Sequence, residues 1–194
     1  IDIGGGTVTL EAKTKLVPIV SSAKAARLIA KRWMSRYHYA PDAFVLEGPK
    51  AGGHLGFALE EIDQPAYQLE ALLPQVVQAV REISAEAGKS IPVIAAGGVY
   101  TGADIYKMQQ LGAAAVQMAT RFVATEECDA DDAFKQAYLN CRKEDIAIIQ
   151  SPVGLPGRAI FNEFLAQAKA GLKRPKVCAR NCITTCKEEA SPYC

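Results

Sequence analysis

Twice in this chain a short apolar run gives way to Ala-Gly-Gly. Ala43-Phe44-Val45-Leu46 leads into Glu47-Gly48-Pro49-Lys50-Ala51-Gly52-Gly53-His54-Leu55-Gly56. Ile91-Pro92-Val93-Ile94-Ala95-Ala96 leads directly into Gly97-Gly98. Apolar runs of this length, bounded by turn residues, read as buried strands. Four glycines within ten residues after the first run require a backbone that bends sharply or approaches something closely. Two strands that each deliver a glycine turn to the same side are the floor of one site. One of the chain's two histidines, His54, sits in the first turn. A lone loop histidine is ordinarily a solvated surface residue; a titratable ring on a glycine loop at a strand's end, with a second such loop elsewhere, is a candidate acid or base.

The rest of the chain continues the same alternation. Leu16-Val17-Pro18-Ile19-Val20 reads as a strand, and Ser21-Ser22 offers the cap of a helix whose apolar face is Ala25, Ala26, Leu28, Ile29, Trp33 and Met34, with Trp33 in the core. That helix must end before Pro41, which makes His38 structural. Residues 57–68 lack a period and read as an extended loop. A second helix starts around Leu72-Leu73, with Pro74 in its first turn, and ends at Gly88. Thr101 and Asp104 form a capping pair for a third, which Gly112 closes. Ala113 to Met118 is another strand. Residues 129–143 predict an acid-started helix, Ile146-Ala147-Ile148-Ile149 an apolar run, Ser151 to Gly157 a rigid loop, and Ile160, Phe161, Phe164 and Leu165 the inward face of a last helix.

Strand and helix alternating at these intervals predict parallel βα units, whose carboxyl-end loops hold the sites of α/β folds. Four units fall short of the eight that close a (β/α)8 barrel of about 250 residues, so the expected fold is part of a TIM-type barrel. The chain opens at Ile1 without a Met and stops at Cys194 within a cysteine-rich stretch, which predicts a piece of a longer polypeptide. The expected division is a partial barrel over 1–172 and a tail over 173–194. With 194 residues and 49% hydrophobic content there is material for one core. A net charge of +1 argues against nucleic acid as a partner. No apolar run is long enough to cross a bilayer and no secretory leader is visible, so a cytoplasmic location and a small-molecule substrate are expected.

Gly97-Gly98 before the capped helix start at Thr101 has the character of an anion site, in which amides rather than basic side chains meet the ligand. Ala119-Thr120, at the end of the next strand, would reach the same anion. In the tail, Cys178, Cys182, Cys186 and Cys194 have the spacing C-x3-C-x3-C-x7-C. Four thiols in a cytosolic chain could hold zinc or an iron–sulfur cluster, but the same spacing stacks small core residues on a helix face, and no metal is assigned to them. Cys128 and Cys141 are isolated and read as structural.

Glu47-Gly48-x-x-Ala51-Gly52-Gly53-His54-x-Gly56, Pro92 to Gly98, Gly112-Ala113 and Gln117 to Phe122 together resemble the nitronate monooxygenase family, which includes the flavin-dependent enoyl-acyl-carrier-protein reductases. The resemblance covers roughly residues 16–165. It implies an FMN-binding barrel of which this chain is the later half. It also implies that His54 is the catalytic base or acid, and that Glu47, Ala51, Gly52 and Gly53 lie along the flavin. Gly97, Gly98 and the segment Gln117, Met118, Ala119 and Thr120 would hold the FMN phosphate. The monooxygenases commonly carry Gln where this chain has Glu47; the reductases carry Glu. That departure bears on the substrate rather than the flavin, and oxidation of alkyl nitronates or nitroalkanes with oxygen is the first expectation the resemblance gives. An enoyl-thioester reductase taking electrons from NAD(P)H is the alternative, and an inactive half-barrel binding module a third.

Overall fold

The computed structural model describes residues 14–174 and 191–193. Strand β1 (Ile19–Val20) leads to helix α1 (Ala23–Tyr37), strand β2 (Phe44–Glu47), the short strand β3 (Gly53–His54) and helix α2 (Leu69–Ala87). Strand β4 (Val93–Ala96), helix α3 (Gly102–Gln110), strand β5 (Ala115–Gln117) and helix α4 (Thr120–Val123) follow. Helix α5 (Asp132–Asn140), strands β6 (Ile146–Gln150) and β7 (Pro156–Ile160) and helix α6 (Glu163–Lys169) complete the order.

Strands β1, β2, β4 and β5 form one sheet in that order, every pair parallel. Each strand lies beside its predecessor and the order never reverses. A doubly wound sheet reverses at its switch point, whereas a barrel does not. The α/β expectation with a parallel sheet therefore holds. Pro18, which has no N–H to give, shortens the first strand from the expected five residues to two.

One face of this sheet is Val20, Phe44, Leu46, Val93 and Ala95, all buried against the helices. α2 supplies Leu69, Leu72, Leu73, Val76, Val77, Val80 and Ile83 to that core, at helical spacing. Full burial of each such side chain is worth about 1.5–3 kcal/mol. α1 is capped by the Ser22 hydroxyl, which accepts from the Ala25 amide. It meets α2 through Ala26 and Ala30, which let the two backbones approach. Leu28 is therefore exposed and Trp33 only half-buried, against the expectation that both are core.

Three further boundaries differ from the expectation. α2 begins at Leu69 rather than near Leu72, and Pro74 lies beyond its first turn. Leu69 is buried beneath Gly48, where a Cβ would come within 3.0 Å of the leucine's own, and this tertiary contact extends the helix toward its start. Residues 57–68 are not extended. They fold into two 3-10 turns, Leu59–Glu61 and Pro65–Tyr67, anchored by buried Phe57 and Ile62 and by an edge-to-face contact of Phe57 with Tyr67. Ile160 belongs to strand β7, and α6 starts only after Asn162, whose side chain accepts from the Leu165 amide. Phe161 and Phe164 are exposed; Leu165 and Ala168 are the buried pair. His38 has the structural role expected: it caps α1 in the left-handed region with φ 50°.

The second sheet was not foreseen. β3, β7 and β6 form it, antiparallel, with β7 in the middle. Ser151 to Leu155 close the β6–β7 hairpin, the Ser151 amide donating to the Leu155 carbonyl at 3.1 Å. Cys178, Cys182, Cys186 and Cys194 lie outside the described residues; Cys128 and Cys141 are half-buried and unbridged. Among the described residues no helix is long and apolar enough to cross a membrane.

Candidate functional site

The parallel register aligns Glu47 with Ala96, and Ala96 with Gln117. Residues paired across a parallel sheet share a face, and Val45, Ile94 and Ala115 form the row just before them. Glu47, Ala96 and Gln117 therefore close the carboxyl end of the face opposite α1 and α2. Glu47 is half-buried, and desolvation raises its carboxyl above the ordinary glutamate value.

The two glycine turns interlock. The Gly48 amide donates to the Ala96 carbonyl at 2.9 Å, and the Ala51 amide to the Gly48 carbonyl at 3.2 Å. Gly97, with φ 92°, lies so close that a Cβ would meet the Gly48 carbonyl oxygen at 2.8 Å and the Ala51 nitrogen at 3.1 Å. Ala51 is buried in this contact. Gly98 faces the stem of Lys50, and the space left between them and Glu70 and Asp104 is about 30 Å³, room for one water.

Beyond Ala51 the chain is open. Gly52 and Gly53 are exposed, with no atom within 4 Å of where a Cβ would stand on either. His54 follows, exposed, and pairs with Gly157 of β7; Gly53 pairs with Arg158. The Leu55 amide donates to the Pro156 carbonyl at 2.8 Å, and the Leu55 side chain is fully buried. His54 thus projects from a short strand fixed at its far side by an apolar anchor. The hairpin that holds it was absent from the expectation. Its signal was the Gly-containing run of five residues between two apolar segments.

At the other end of the site, Gln117 is exposed on β5, Met118 half-buried, and Ala119 and Thr120 exposed at the start of α4. A groove of about 580 Å³ opens beside Ala119, lined also by Phe122, Val123, Thr125, Glu127 and Cys128. The Thr101 cap forms as expected, its hydroxyl accepting from the Asp104 amide at 3.2 Å. Asp104 in return accepts from the Tyr100 and Thr101 amides and from the Thr101 hydroxyl, which holds its carboxyl below the usual range. Those amides are spent inside the cap, and a carboxylate stands over them. The Tyr100, Thr101 and Asp104 amides are thus engaged within the cap, whereas those of Gly97 and Gly98 take no part in it.

A sequence model described as nitronate monooxygenase matches residues 9–190. The chain belongs to the nitronate monooxygenase family. Members of this family are flavin-dependent oxidoreductases. A "Probable nitronate monooxygenase" of Staphylococcus haemolyticus is 40% identical over 134 residues, 68% of this chain and 35% of that protein. A carboxyl-CoA dehydrogenase of Mycobacterium tuberculosis, named for a hydroxy-methyl-oxo-octahydroindene substrate, is 32% identical over 83% of this chain and 39% of its own length. Among solved structures, FabK from Thermotoga maritima superposes with a TM-score of 0.63 at 30% identity, covering 82% of this chain and 43% of that one. The nitroalkane oxidase of Streptomyces ansochromogenes gives 0.59 at 30% identity, covering 79% and 40%. This member of the nitronate monooxygenase family thus spans well under half the length of the relatives it matches.

Proposed function

We propose that this chain carries the backbone floor and the proton-accepting side chain of an FMN-dependent oxidoreductase that acts on nitroalkanes and their nitronates. In this reading its four parallel strands are consecutive strands of an eight-stranded barrel. The observation that carries the reading is the exposed His54 beside two glycines with open space above them, at the carboxyl end of a parallel sheet. A flat ring system can lie on a backbone that presents no side chain, so Gly52 and Gly53 fit an isoalloxazine, with Ala51 and Glu47 continuing the same edge. Gly97, Gly98, Gln117, Met118, Ala119 and Thr120 are assigned to the phosphate end, through amides and the Thr120 hydroxyl. Bound FMN supplies the electron acceptor and the reaction with oxygen, chemistry that no side chain here can perform.

The chain's own task is the proton. An imidazole is the side chain best matched to taking a proton from carbon at neutral pH, and the Cα–H of a nitroalkane is acidic because the nitro group carries the resulting charge. His54 accepts that proton on an unprotonated ring nitrogen, and the substrate leaves the step as its nitronate. A substrate supplied as the nitronate has no need of this step.

One observation favours a second reading. Glu47 retains a carboxyl on the site's face, where the resemblance associates Glu with the enoyl-thioester reductases, which would use NAD(P)H as donor. The experiment is a visible spectrum of the purified full chain, recorded anaerobically with NADPH and then NADH, followed by oxygen uptake with a neutral nitroalkane and with its nitronate. The expected results are a flavin band that neither nucleotide bleaches and turnover of both substrates. His54→Ala should abolish turnover of the neutral compound and spare the nitronate. Bleaching by a nicotinamide with consumption of an enoyl thioester would replace this reading by the reductase. A native mass with no flavin would leave the binding module.

A further inference from the structure

We infer that Arg158 is a positioning residue for His54: it ties the hairpin that holds the histidine to the glycine loop that precedes it. Arg158 lies at the centre of β7, opposite Gly53 on one side and Ile148 on the other. Its Nη2 donates to the carbonyl of Pro49 at 3.1 Å, across 109 residues of sequence. Its Nε is buried and has no acceptor among the described residues, and none of the ion pairs among those residues includes it. A guanidinium stays charged at any working pH and carries five donors. Enclosing part of it without a carboxylate is costly, so the contact it does make needs a reason.

The strand register supplies one. Gly53 pairs with Arg158 and His54 with Gly157, and neighbours along a strand point to opposite faces. Arg158 is therefore on the face of the ladder away from the imidazole. It is not a second catalytic group beside His54. What it reaches is Pro49, in the loop whose start is pinned to the parallel sheet by the bond from Gly48 to Ala96 and whose end is pinned to β7 at Gly53 and His54. Between those points Gly52 has open space around it, with no atom within 4 Å of where a Cβ would stand. Arg158 adds a third fixed point at Pro49 and joins β7 through a side chain to the loop that leaves β2. A misplacement of about 1 Å at a reacting group can cost about a hundredfold in rate, so this tie governs proton abstraction.

The inference rests on the reading of His54 as the base, and the test separates the two. Amide hydrogen exchange on the full chain should show residues 50–55 exchanging about tenfold faster in Arg158→Ala and Arg158→Lys, while the amides of α2 keep their wild-type protection. Lysine fails because a point charge on a flexible stem cannot reproduce the fork. In parallel, kcat for a neutral nitroalkane should fall by about tenfold or more with KM within about twofold. Ethylguanidinium added to Arg158→Ala should restore part of the lost rate. Unchanged exchange in the loop, exchange that rises equally in α2, or an unaltered neutral rate would each overturn the inference. If the wild type turns over neither substrate, the reading of His54 falls by itself, and the exchange data still decide whether Arg158 fixes the loop.

Discussion

Gly97→Ala tests how tightly the two glycine turns are locked. The new methyl would stand 2.8 Å from the Gly48 carbonyl oxygen and 3.1 Å from two backbone nitrogens, those of Gly48 and Ala51. None of these is the free end of a side chain, so the backbone itself must move. The residue must also keep φ 92°, which a side chain disfavours. Sparsely populated backbone costs about 1–3 kcal/mol and overpacking a further 1–3, so a loss of about 2–6 kcal/mol is expected. Two controls divide that figure. Gly88→Ala has φ 64° but open space around the new methyl, so only the conformational cost of about 1–2 kcal/mol applies. Gly52→Ala has open space and an ordinary φ, and a change within about 1 kcal/mol, in the stabilising direction, is expected there. Urea unfolding of the three variants, with the slope checked for constancy, gives the differences directly. The reasoning is refuted if Gly97→Ala costs no more than Gly88→Ala. That result would mean the turns are not in contact closely enough to require glycine.

Two predictions concern pH. Asp42 accepts from the Tyr39 hydroxyl, the Leu16 amide and Lys89, and its carboxyl is held well below the ordinary range, the hydroxyl contributing most. A depressed carboxylate stabilises the fold above its unfolded value near 3.9 and loses that contribution as pH falls, so wild-type stability should decline from about pH 5 downward. Asp42→Asn should show a shallower decline in an acid titration followed by circular dichroism, and an equal slope would reject the assignment. Glu47 has the opposite sign: burial raises its value, so its contribution is lost as pH rises through the folded value. Glu47→Gln should therefore raise the thermal midpoint at pH 7, with the gain vanishing toward pH 4, below the unfolded value near 4.3. A gain that persisted at pH 4 would mean packing rather than ionisation is responsible.

The parallel sheet was legible because its strands are short apolar runs, two of them stopped by glycine; that Glu47, Ala96 and Gln117 share one row is set by the register between strands, which no local pattern encodes. The Thr101–Asp104 cap was legible for a local reason as well, since its partners are three residues apart. What could not be read depends on distant partners. Pro156-Gly157-Arg158-Ala159 contains no β-branched residue and begins with a residue that cannot donate; it becomes a strand because β3 and β6 flank it. Arg158 has its acceptor 109 residues away. On α1 the apolar period pointed to Leu28 and Trp33, yet close approach to α2 selects the alanines. Leu69 enters its helix early because of Gly48, a contact no local propensity encodes.

These two kinds of legibility coincide with two kinds of stability. The floor of the site belongs to the parallel sheet, whose core residues Phe44, Leu46, Leu73, Val76 and Ala95 are wholly buried. His54 belongs to the antiparallel sheet, where β6 and most of β7 are half-buried or exposed. Local opening follows burial, so the hairpin can open at a lower free energy than the sheet beneath it. Opening would release Gly53 and His54 while leaving the Gly48–Gly97 contact in place. The segment that carries His54 is thus the less stable of the two, and the bond from Arg158 to Pro49 ties it to the loop that leaves β2.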